Sequence, residues 1–92
     1  MKYQLIFDKV ILKQLKKAGK TKKIRDILSK MIDRIELLGP QTGKLLDAKL
    51  RLYEMKNEKP SIRLYYKPYN GKVLLFEFEM KKSENRQELL IR

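Results

Sequence analysis

The chain changes hydrophobic period once, at Gly39-Pro40, and that switch limits its fold more than any other feature. Before it, Ile24, Ile27, Leu28, Met31, Ile35 and Leu38 recur at intervals of three and four, which places them on one stripe of a helix. After it, apolar residues recur at every second position, which places them on one face of strands. A helical stripe and a sheet face must each be covered, and 92 residues are enough for one shared core but not two. Residues 1–92 are therefore expected to form a single α+β domain.

The local signals divide each half further. Met1–Phe7 alternates Tyr3, Leu5 and Phe7 and predicts a strand. Asp8 is placed to cap a helix whose inner side is Ile11, Leu15 and Ala18, with Lys13, Lys16 and Lys17 outside. Gly19 ends that helix, and Thr21 is expected to cap the next. The very short link predicts an antiparallel helical hairpin. A loop through Gln41, Thr42 and Gly43 leads to a strand in which Leu50, Leu52, Glu54 and Lys56 share one face and Arg51, Tyr53 and Met55 the other. Asn57–Pro60 turns the chain into Ser61–Lys67, where Ile62, Leu64 and Tyr66 oppose Arg63 and Tyr65. Tyr66, in phase with the aliphatics, is the expected core tyrosine. Asn70-Gly71 marks a hairpin, because both residues tolerate positive φ. In Lys72–Met80, strict alternation puts Leu74, Phe76, Phe78 and Met80 on one face, and Val73, Leu75, Glu77 and Glu79 on the other. The expected order is β-α-α-β-β-β, an N-terminal strand and helical hairpin on a small, mainly antiparallel sheet. The second-helix stripe serves as core or as a partner contact.

Composition now narrows the chemistry. The chain has neither cysteine nor histidine, which excludes disulfides, thiolate metal sites, zinc–histidine centres and histidine acid–base catalysis. Neither a metal nor another cofactor is expected. Lys and Arg total 23 against 11 Asp and Glu, a net charge of +12. Such a field attracts polyanions through counterion release and accelerates encounter with acidic partners. No apolar run reaches membrane-spanning length, so no membrane partner is expected and the cytoplasm is the expected location.

Four segments carry a resemblance: Leu52-Tyr53-Glu54-Met55-Lys56, Ile62-Arg63-Leu64-Tyr65-Tyr66, Lys72-Val73-Leu74-Leu75-Phe76 and Lys81-Lys82. Their types and spacing resemble the RelE/ParE superfamily of type II toxins, over nearly the whole chain. The lysine pair is similar to the one that follows the last core strand in the HigB-like branch. Two departures stand out: Ile62 replaces the aromatic expected before the central arginine, and no tyrosine lies beyond Tyr69. Arg86 is the arginine nearest to the family's C-terminal catalytic one.

The resemblance implies a metal-free endoribonuclease acting on mRNA at the ribosome, with an acidic cognate antitoxin as protein partner. In such cleavage the 2′-hydroxyl is the nucleophile, a base takes its proton, and cations stabilise the phosphate. Arg63 is the candidate phosphate grip, since a guanidinium holds two oxygens at once. Glu54 is the candidate base, and Lys56, Lys82 and Arg86 supply charge and the leaving-group proton. Lys81, Lys82, Arg51 and Tyr65 are the candidate RNA contacts. Each also has a plainer role: Arg63 as a cross-strand partner of Glu77 or Glu79, Glu54 as a lysine's surface partner, the lysines as a solvated edge. Two other functions stay open, a ParE-like inhibitor that binds DNA gyrase and a non-catalytic basic protein that binds RNA or ribosomes.

Overall fold

The fold is that of a computed structural model, which describes residues 2–80. The α+β class expected from the period switch is what it has, with one more strand than the pattern revealed. Strand β1 (Leu5–Phe7) leads into helices α1 (Lys9–Ala18) and α2 (Lys22–Leu38). A short 3-10 helix, Pro40–Thr42, leads into β2 (Lys44–Asp47), β3 (Leu52–Asn57), β4 (Ile62–Tyr69) and β5 (Lys72–Met80). The sheet order is β1-β5-β4-β3-β2, with β1 parallel to β5 and every other pair antiparallel.

Ile11 from α1 and Leu28, Met31 and Ile35 from α2 meet Met55, Ile62, Leu64, Tyr66, Val73, Leu75 and Phe78 in one core. Burying each such aliphatic or aromatic side chain contributes roughly 1.5–3 kcal/mol. Tyr66 is fully buried and stacked on Tyr53, with ring centres 5.7 Å apart. Leu38 departs from the expected stripe: at the last turn of α2 it is exposed.

The caps differ in kind. Asp8 accepts a hydrogen bond from the Val10 amide at 2.9 Å, as a helix N-cap should. Thr21 occupies the cap position of α2 without a side-chain bond, so the expected capping interaction is not made. Gly39 ends α2 at φ 90, a conformation that L side chains resist, and the Tyr3 ring lies where a β-carbon would stand.

Two strands depart from strict alternation. The extra strand β2 precedes a turn over residues 48–51, where Asp47 accepts from the Leu50 amide at 3.0 Å. Leu50 and Arg51 therefore belong to that turn, not to β3, and Arg51 has a φ of 54. In β5, Tyr66 opposes Leu75 and Tyr65 opposes Glu77, leaving Phe76 as an extra residue. This bulge resets the phase. Val73 and Leu75 face the helices before it, Phe78 does so after it, and Glu77 and Glu79 remain exposed.

Candidate functional site

With the helices on one face, β3 and β4 display their alternate residues on the other. Cross-strand registry sets Lys56 opposite Arg63 and Arg63 opposite Glu79, while Glu54 stands opposite Tyr65. Lys56 and Glu54 are two residues apart on one strand and so share that face, as expected.

A groove of about 460 Å³ opens where the short edge strand β2 begins. It is lined by Arg34, Thr42, Gly43, Lys44, Glu54, Met55, Lys56 and Arg63. Four cations face one carboxylate. Three of the expected site residues (Arg63, Lys56 and Glu54) are brought together here. Arg34 and Lys44 were not anticipated. Arg34 is on the polar side of α2, and only packing of that helix against the sheet brings it to the groove. Lys44 opens an edge strand whose existence the pattern did not show.

Arg63 is half-buried, and its Nε is 3.7 Å from Glu54 Oε2. That is an ion-pair distance but too long for a hydrogen bond, and the buried Nε has no hydrogen-bond partner. The expected alternative, a cross-strand pair with Glu79, is not formed; Glu79 instead accepts from the Tyr65 hydroxyl at 2.8 Å. Lys56 is 3.8 Å from the exposed Glu58, a contact of little energetic weight.

Two tyrosines are perturbed. Burial, then the hydrogen bond and negative charge of Glu79, raise the Tyr65 pKa, with Glu54 adding and Arg63 opposing. The hydroxyl of Tyr65 therefore stays protonated and is a donor, not a base. Burial pushes Tyr66 up to about 12, against the opposing Gly43 amide. Its hydroxyl donates to the Pro40 carbonyl at 2.9 Å and ties the 3-10 helix to β4. A β-carbon on Gly43 would collide with that hydroxyl and with the Glu54 carbonyl.

Arg51 is set apart from the groove. It borders a separate pocket of about 270 Å³ with Tyr3, Tyr53, Tyr69 and Lys72, toward the Asn70-Gly71 hairpin. Lys81, Lys82 and Arg86 lie outside the described residues. Among the described residues, no helix is long and apolar enough to cross a membrane.

No protein-family model matches the sequence, and no curated protein matches it. Solved structures do. The isolated E. coli RelE toxin is 26% identical, with 98% of this chain and 97% of that one covered at a TM-score of 0.68. A mutant of E. coli RelE in the free state is 25% identical, covering 98% and 93% at 0.65. A chain of the intact E. coli RelBE toxin–antitoxin complex is 24% identical, covering 88% and 99% at 0.66. A helical hairpin on a five-stranded mixed sheet, matched from end to end, defines the class as the RelE fold. The chain belongs to the RelE-like toxin superfamily.

Proposed function

We propose that the chain is the toxin of a type II toxin–antitoxin pair and that it cleaves mRNA on the ribosome without a metal. The observation that carries this reading is the state of Arg63. Its Nε has no hydrogen-bond partner, and the groove beside it collects Arg34, Lys44 and Lys56. A guanidinium kept in this way is ready to donate to phosphate oxygens, whereas one locked into a buried bidentate pair is not.

In the proposed reaction Glu54 takes the proton of the 2′-hydroxyl, and the 2′-oxygen attacks the adjacent phosphorus. Arg63 and Lys56 hold the phosphate oxygens as negative charge builds on them. The 5′-oxygen leaves with a proton supplied by Lys82 or Arg86, and a 2′,3′-cyclic phosphate remains. Glu54 reaches its hydroxyl only if the incoming phosphate draws Arg63 away from it, so substrate binding itself releases the base. Tyr65, held by Glu79, offers a ring for stacking an unpaired base, and Lys81 extends the contact surface. Arg51 is proposed to touch RNA outside the groove.

An acidic antitoxin is the proposed protein partner, binding along the sheet edge or the helical hairpin and neutralising the groove. The cytoplasm, where mRNA and ribosomes meet, is the proposed location.

Primer extension on translated mRNA after induction tests the reading. Wild type is expected to produce discrete cuts, and Arg63→Ala to reduce them about 10²–10³-fold, the usual loss for one preorganised donor. Arg63→Lys is expected to recover little, because it keeps the charge and loses the planar fork. Full cleavage by Arg63→Ala would sink the assignment. Inhibition of gyrase supercoiling without any mRNA cuts would replace it with the binding reading.

A further inference from the structure

The pocket at the Asn70-Gly71 end of the sheet is built from side chains that the proposed cleavage leaves unused. The rings of Tyr3, Tyr53 and Tyr69 line it, with the cations Arg51 and Lys72 and the side-chain amides of Gln41 and Asn70. No carboxylate lines it, and neither cation has an acidic partner among the described residues.

The fold fixes the walls. Tyr53 lies nearly parallel to the fully buried Tyr66, the two rings inclined by 11°. The Tyr3 amide donates to the Glu36 carbonyl at 2.7 Å, and the Tyr3 ring packs on Gly39. Tyr69 stands opposite Lys72 across the hairpin. Arg51 holds φ 54, a left-handed conformation that glycine adopts freely and that costs a residue with a β-carbon. Asn70 and Gly71 owe their positive φ to the hairpin turn, which demands it. A glycine at position 51 would make its turn without strain, yet an arginine stands there and borders the pocket. Strain of this kind persists at ligand clamps, where a side chain is needed in place. All four left-handed residues of the described chain border the pocket or, for Gly39, the Tyr3 ring that lines it.

The occupant follows from the mixture. At about 270 Å³ the pocket is just below the usual ligand-site range of about 300–1,000 Å³, room for one planar group and not for a length of chain. Tyrosine faces stack a base, amides meet the donors and acceptors of a base edge, and unpaired cations meet a phosphate. An acidic peptide would use the cations and, through an aromatic side chain, the rings. The edges of Phe and Trp, however, offer no acceptor to the Gln41 and Asn70 amides. Base-paired RNA keeps its bases stacked and their edges engaged, so it presents nothing to insert. We infer that this is a pocket for one unpaired nucleotide of an RNA strand, distinct from the groove. The two sites adjoin: Gln41 and Tyr53 line the pocket, and their neighbours Thr42 and Glu54 line the groove. The inference rests on the proposed function for RNA as ligand and does not need cleavage.

The probe is a short single-stranded 2′-O-methyl RNA, which lacks the attacking hydroxyl, carrying one 2-aminopurine whose fluorescence is quenched on stacking. The wild-type chain is expected to quench it, and Tyr69→Ala to weaken binding about tenfold or more. Tyr69→Phe keeps the ring and is expected to retain the affinity. Arg51→Gly is expected to weaken binding severalfold while its melting temperature stays level or rises, and it decides the matter should Tyr69→Ala not fold. Lys30→Gln, matched in charge to Arg51→Gly, is expected to bind like wild type. Absence of quenching by wild type would overturn the inference, as would wild-type affinity in Arg51→Gly or an equal loss in Lys30→Gln. Displacement of the probe by a phenylalanine-containing polyglutamate peptide at lower concentration than by unlabelled RNA would assign the pocket to an acidic protein instead. Quenching by a chain that makes no mRNA cuts would sink the nuclease reading alone, and cuts without quenching would sink the pocket alone.

Discussion

At the residue scale, the groove depends on two side chains held in incomplete pairings. Arg63 and Glu54 attract one another at 3.7 Å without a hydrogen bond, so a phosphate arriving as proposed competes against charge attraction alone. Glu54→Gln removes both the proposed base and that competitor. It is expected to abolish cleavage while tightening binding of an uncleavable 2′-deoxy RNA, as measured by anisotropy; weaker binding would show that Glu54 only supports Arg63. Tyr66 illustrates a different use of burial. Its pKa rises from 10.0 to about 12, so the folded state keeps a proton that the unfolded chain gives up earlier. Stability from this source is complete below pH 10 and is lost as pH rises through about 12. Denaturant midpoints across that range should fall less steeply for Tyr66→Phe than for wild type, and identical slopes would contradict the assignment.

At the element scale, two local irregularities decide where side chains point. Without the bulge at Phe76, continued alternation from Val73 and Leu75 would carry Glu77 and Glu79 into the core, each at a cost of several kcal/mol. The bulge keeps both carboxylates out and lets Glu79 meet Tyr65. Gly43 acts similarly at the start of β2, where Tyr66 Oη and the Glu54 carbonyl leave no room for a β-carbon. Gly43→Ala should therefore destabilise by about 1–3 kcal/mol, the usual range for overpacking. Because the displaced strand carries Glu54, the same change should also lower cleavage in the primer-extension assay. Wild-type stability and activity in this variant would show that β2 adjusts freely.

At the scale of the whole molecule, the +12 charge and the five-stranded sheet do different work. Charge governs encounter. Association with an acidic antitoxin should slow by an order of magnitude or more between about 50 and 200 mM salt, in stopped-flow measurements, while dissociation changes less. A salt-independent rate would mean that the charge does not steer this encounter. Architecture governs which charges act together, and here the limits of the linear pattern become visible. Periodicity was enough for the helical hairpin, for β3 through β5 and for Tyr66 as a core residue, because each depends on neighbours within a few positions. The Asn70-Gly71 hairpin was equally legible, since positive φ is a property of those two residues alone. Arg63, Lys56 and Glu54 could be grouped by type and spacing because they lie on adjacent strands.

β2 stayed hidden because four residues with the burial of a loop show no alternation, and because the turn that defines it is made by one Asp47 side chain. The phase of β5 stayed hidden because a bulge answers to the partner strand's register and leaves no mark in its own sequence. Arg34 and Lys44 joined the groove only through packing of a helix and a sheet edge that lie apart in the chain. Element type, the buried face of each helix and overall charge were thus set by the order of residues. The composition of the groove and the freedom of Arg63 were decided in three dimensions, where contacts between distant segments settle what local preference leaves undetermined.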